Sequence, residues 1–192
     1  MRREARWAAA VIVAFTIGAL CAGSYARLAT PYYSAVASLI ASMHPWRVVD
    51  VRVVRDDSTH GTVMSLTGEV RVHRTDTQAA ALIVGHVQVG EIVETPIVFW
   101  TLLLMWPAAA AQERVRRIAW GIPVFLVLEA ATTPCQLVYS MARASALLAG
   151  ESDPFTAWER WSNLLEAGGR FVLETTAALV TVAAARPREV RA

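Results

Sequence analysis

Lysine is absent from this 192-residue chain, and all 18 basic side chains are arginines. Charge of either sign is scarce, at 18% of residues, where soluble domains carry roughly a quarter. The net charge is only +2 and the arginines are dispersed, which excludes one basic face for nucleic acid. Cysteine is limited to Cys21 and Cys135, both inside apolar stretches, so no disulfide framework is expected. Histidine occurs only at His44, His60, His73 and His86, so the later apolar stretches hold no imidazole base.

What the chain has in quantity is apolar residues, 55% of the total, gathered in four blocks. A helix that crosses a bilayer needs about 20 such residues. Trp7 to Leu28 gives 22, with no charge before Arg27, and reads as an uncleaved anchor. The other blocks run over 92–111, 118–141 and 164–185. Three short segments outside them, 1–6, 112–117 and 186–192, hold nine arginines in 19 residues, whereas 30–91 holds five in 62 and 142–163 two in 22. Basic segments stay on the cytoplasmic side. The expectation is a polytopic α-helical membrane protein: four transmembrane helices in the bacterial inner membrane, segments 1–6, 112–117 and 186–192 cytoplasmic, and the lipid bilayer as a partner. Trp7, Trp158 and Trp161 fall where interfacial anchors belong.

The segment 30–91 is expected outside the cytoplasm. Thr30–Pro31 resembles a helix start, and Tyr32, Val36, Leu39, Ile40 and Met43 recur at helical spacing up to His44–Pro45. Tyr32 and Tyr33 suit headgroup level. Residues 47–55, 63–74 and 81–90 then alternate with period two, as in Met64, Leu66, Val70 and Val72 against Ser65, Thr67, Glu69, Arg71 and His73. They predict a small three-stranded β-meander inserted between the first two spans. Asp56, Asp57 and His60 lie together but read as turn residues, so neither metal nor cofactor is expected.

Charge inside an apolar block is rare and is usually functional or paired. Glu129 stands in the third block with Thr132, Thr133, Cys135 and Gln136. Glu166, Arg170 and Glu174 stand four apart in the fourth and would share one helix face, with Gly168–Gly169 letting a neighbouring helix come close. Glu129, Gln136, Glu166, Arg170 and Glu174 therefore form a candidate polar seam or partner contact. An alternative makes Cys135 a nucleophile with Arg170 stabilising an oxyanion, although no histidine base accompanies them. A third reading is a component of an oligomeric transporter.

A short anchor, a small external β-segment and three further spans ending in the run Trp161-Ser-Asn-Leu-Leu-Glu-Ala-Gly-Gly-Arg-Phe-Val-Leu resemble the small membrane proteins associated with exosortase H systems. The resemblance implies an accessory of envelope protein sorting with a polytopic, exosortase-like enzyme as partner, and the pairing of a small β-element with a polar helix seam points to a non-catalytic accessory or scaffold.

Overall fold

The computed structural model describes residues 2–43, 46–56, 61–74, 77–108, 110–149 and 156–186. His44–Pro45, the expected turn at Asp57–His60 and the tail 187–192 lie outside the described residues. The chain begins with a 40-residue helix, α1 (Arg2–Ala41), followed by β1 (Trp46–Asp56), β2 (Gly61–Arg74) and β3 (Thr77–Gln88). Helices α2 (Val89–Met105), α3 (Ala111–Ala131), α4 (Thr133–Ala149) and α5 (Thr156–Leu164) come next. A π turn, Leu165–Gly169, leads into α6 (Arg170–Ala185).

The start expected at Thr30–Pro31 is not a helix start. Proline at position 31 removes one backbone donor, but α1 runs through it, and the Thr30 hydroxyl donates to the Ala26 carbonyl (2.8 Å) instead of capping a new helix. Ala26, Tyr33, Ala37 and Ala41 are buried on one stripe of α1, at spacings of seven and four. The placement of Tyr33 at headgroup level is thereby corrected.

The three strands form one antiparallel sheet in the order β1-β2-β3, with a register shift between Val48 and Asp50. On β3 the period is clear: Ile83, Gly85 and Val87 are buried while Leu82, Val84 and His86 are exposed. The buried face meets α4 at Gly85, where an added Cβ would lie 2.7 Å from the Leu137 carbonyl and 2.9 Å from the Met141 amide nitrogen. Glycine there sets how closely sheet and helix pack. Met64, Leu66, Ile83, Leu137, Val138 and Met141 fill this core together with the α1 stripe.

A second core joins α2, α3 and α6 through Phe99, Leu103, Leu128, Ala178 and Val182. Phe99 stacks edge-on against Trp100 with ring centroids 5.2 Å apart, and Phe125 lies 5.7 Å from Phe99. Gly121 lets α3 approach these rings, since a Cβ there would sit 2.6 Å from Leu103.

The four-span expectation is overturned. Among the described residues one helical stretch is long and apolar enough to cross a membrane, Ala111–Leu147, of 37 residues. A bent pair, Ile12–Gly18 with Leu20–Ala41 at 56°, would make a second if counted as one span. The physical reason lies in two helix breaks. α2 stops after 17 residues at Trp106–Pro107, and the π turn leaves α6 only 16, short of the roughly 20 that a crossing needs. The supposed cytoplasmic loop 112–117 is part of α3. Glu113 and Arg117 are buried there as an ion pair, and Arg117 also donates to the carbonyls of Trp106 (2.6 Å) and Pro107 (2.8 Å). These carbonyls lie just past the end of α2, where backbone acceptors lack helical partners. The assignment to the inner membrane with both ends cytoplasmic rested on four alternating crossings and falls with them.

Candidate polar cleft

At the sheet end of the helices, two adjoining hollows of about 340 and 310 Å³ share Glu91, Gln136 and Glu166. Glu91 and Glu94 come from the first turns of α2, immediately after β3. Gln136 comes from α4, with Arg143 two turns further on. Glu166, Gly168 and Arg170 come from the π turn and the start of α6. The cleft thus lies where the sheet gives way to helix, between three elements brought there by the Gly85 contact and by the break before α6.

The π turn explains how the fourth block folds. Gly168 has φ 95°, ψ 0°, a left-handed conformation that glycine adopts without strain, and the space around its missing Cβ is open. A side chain at Gly169 would first meet the Leu164 carbonyl at 2.4 Å. The glycine pair therefore shapes its own turn rather than admitting another helix, which corrects the close-packing expectation. The wider turn also breaks the expected stripe. Glu166 stays exposed, hydrogen-bonded by the Ser162 hydroxyl (3.3 Å), while Arg170 and Glu174 are buried in α6.

Arg170 is not the centre of a Glu–Arg–Glu ladder. Its guanidinium donates to the Glu91 backbone carbonyl and to the Gln136 side-chain oxygen, so it ties α6 to both α2 and α4. The cleft is left with Glu91, Glu94 and Glu166 against Arg143 and Arg170, an acidic excess of one. Burial raises the pKa of Glu91; the Arg170 charge lowers it in turn, and Glu166 and Glu94 raise it further. Carboxylates that crowd each other in this way favour a cation between them.

Glu129 and Glu174 lie deeper. Glu129 is 1% exposed, with the Tyr33 hydroxyl donating to its Oε2 and Oε1 without a partner. Glu174 is fully buried and neither of its oxygens forms a hydrogen bond of good geometry. The Thr95 hydroxyl nevertheless lies close enough to act on its charge. Burial is the main influence on both, and raises each to about 7. The sequence offers Tyr32 and Tyr33 but not their link to Glu129, and it gives no part to Tyr25. Tyr25 and Tyr33 stand eight residues apart, about two turns along one helix, which is the weak signal that both could face one partner.

Thr132 donates back to the Leu128 carbonyl (3.1 Å) at the break between α3 and α4, and Thr133 is buried beside it. The Cys135 thiol donates to the Ala130 carbonyl (3.4 Å), and burial pushes its pKa up to about 11. A thiol held protonated is a poor nucleophile. With Arg170 committed to Glu91 and Gln136, the thiol-enzyme reading is overturned. Among the described residues no group of three or more His, Cys, Asp or Glu could hold a metal ion. The accessory and transporter readings required a polytopic bundle and are withdrawn with it. His86, exposed on β3, lies on the rim of the larger hollow with Ser65 Oγ 3.5 Å from its Nδ1.

The fold and cleft define a helical protein with a small antiparallel sheet and an acid-rich recess at their junction. No family model, curated protein or solved structure matches the chain.

Proposed function

We propose that this protein is a non-catalytic binding module that receives a cationic group, such as a guanidinium or ammonium side chain, in the cleft between α2, α4 and the π turn. The observation that carries this is the charge arrangement: three carboxylates face a cleft in which the buried arginine already has acceptors of its own. Glu91, Glu94 and Glu166 would take the incoming charge, and Arg170 and Gln136 would hold the floor.

The test is calorimetric titration with N-acetylarginine amide as probe. Replacing Glu166 with glutamine should weaken binding about tenfold, the equivalent of one lost charge contact in a partly wet site. Binding needs ionised carboxylates, and Glu91 is shifted upward. Affinity should therefore fall as pH is lowered through the raised Glu91 pKa, earlier than an ordinary carboxylate would cause. Equal affinity of wild type and Glu166→Gln, with no pH dependence, would remove the reading.

A second reading concerns the outer surface. Leu20 and Leu28 on α1, Val115 and Val127 on α3, and Phe171 and Val172 on α6 are each more than half exposed. Apolar surface spread over several helices supports contact with lipid acyl chains, without assigning crossings or a compartment. Flotation with neutral phosphatidylcholine vesicles at high salt should carry the chain upward. If it stays at the bottom of the gradient as a monodisperse species, lipid is not its partner.

A further inference from the structure

We propose that Glu129 and Glu174 form a buried proton-exchange site, two carboxyl groups that are neutral when α1, α3 and α6 are packed together and whose ionisation loosens the joint between α1 and the α3–α4 break. The geometry is specific. Both residues are at most 1% exposed, three of their four carboxyl oxygens make no hydrogen bond of good geometry although the Tyr25 and Thr95 hydroxyls lie near, and neither makes an ion pair among those described. A carboxylate removed from water without a counter-ion takes up a proton instead of remaining charged.

The surroundings offset that burial only in part: hydroxyl donors and the Arg170 charge favour the ionised form of both groups, while Glu94 and Glu129 oppose it at Glu174. Around Glu129, α1 presents the hydroxyls of Tyr25, Tyr32 and Tyr33, and among the described residues Arg170 of α6 is the cation acting on it. Around Glu174, α2 presents Thr95 and Glu94, α3 presents Glu129, and Arg170 stands one turn away on the same helix. α4 adds no charge at this level: Thr133 is uncharged, the Cys135 thiol is protonated, and Gln136 is bound to Arg170. Arg170 thus acts on both carboxyls while donating its hydrogen bonds to other oxygens. One buried guanidinium, bonded to Glu91 and Gln136 and paired with neither carboxyl, cannot balance two buried acids, and protons neutralise what remains.

The location gives the protons a structural consequence. Glu129 lies three residues before the break at Thr132 and is held by Tyr33 in the middle of the buried stripe of α1. Tyr32 donates to the Leu126 carbonyl one turn earlier. Two tyrosine hydroxyls of α1 thus meet the end of α3, one on the Glu129 carboxyl and one on the Leu126 carbonyl. Charging that carboxyl sets an anion without an ion-pair partner among the described residues inside the contact.

Both folded-state pKa values lie above the ordinary carboxylate value, so the stabilisation they give is present at low pH and is lost as pH rises through about 7. Infrared spectroscopy of protein carrying 13C-carboxyl glutamate reads the site directly. The expected result is a C=O stretch of buried, protonated carboxyls at about pH 5 that disappears by about pH 8, with melting temperature falling over the same interval. Glu129→Gln and Glu174→Gln should each remove part of the band and flatten that dependence. If either variant fails to fold, the wild-type band and melting curve decide alone. Absence of the band at about pH 5 overturns the proposal, as does a melting temperature that rises from pH 5 to 8.

Discussion

Replacing Arg170 with leucine should destabilise the protein by about 3–5 kcal/mol, from the unsatisfied buried groups it leaves. Arg170 is 4% exposed, and its fork bridges the first turn of α2 and the first turn of α4. Leucine fills part of the volume but takes the guanidinium donors from the Glu91 carbonyl and the Gln136 amide oxygen, and it removes the cation that acts on Glu129 and Glu174 among the described residues. Lysine should not restore stability, because a single ammonium cannot match two acceptors held in the geometry of a planar fork. Urea denaturation of the wild type, Arg170→Leu and Arg170→Lys checks this. A loss below about 1 kcal/mol for leucine would mean that the guanidinium is not a structural tie.

Arg117→Ala should cost a similar amount, about 3–5 kcal/mol, at the opposite end of the helices. Arg117 is 2% exposed, pairs with Glu113 one turn back, and covers two carbonyls beyond the end of α2. Its removal takes the Arg117 ion pair from the buried Glu113 carboxylate and the guanidinium donors from two backbone carbonyls. Glu113→Gln alone should be milder, since Arg117 keeps the carbonyls. The double variant should be less unstable than the two single losses added, because the groups share one contact. A double-mutant cycle by chemical denaturation measures that coupling, and strict additivity would contradict the assignment.

Different parts of the fold were legible to different degrees. The three strands were readable because alternation such as Met64, Leu66 against Ser65, Thr67 has one physical meaning, a pleated surface with two faces. The helical part misled because apolar content says that a segment avoids water and not how long its helix is. Helix length was decided by Trp106–Pro107 and by Gly168, single positions inside otherwise apolar blocks. Arg117 misled for a related reason. In a run of arginines it resembled a solvated loop, but its partner Glu113 is one helical turn away and the pair folds inward together. Of the candidate site, Arg170 and Gln136 do meet, while Glu166 and Glu174 part company because the π turn shifts the register between them. Tyr33 became a ligand of Glu129 only through tertiary packing, 96 residues away in sequence.

The central claim is that the cleft selects positive charge. Calorimetry of the wild-type protein at neutral pH and low salt, comparing N-acetylarginine amide with N-acetylglutamate, tests it most directly. The expected result is saturable binding of the arginine probe that involves Glu91 and Glu166, and no detectable heat from the glutamate probe. Binding of the anionic probe with equal or greater affinity would contradict it.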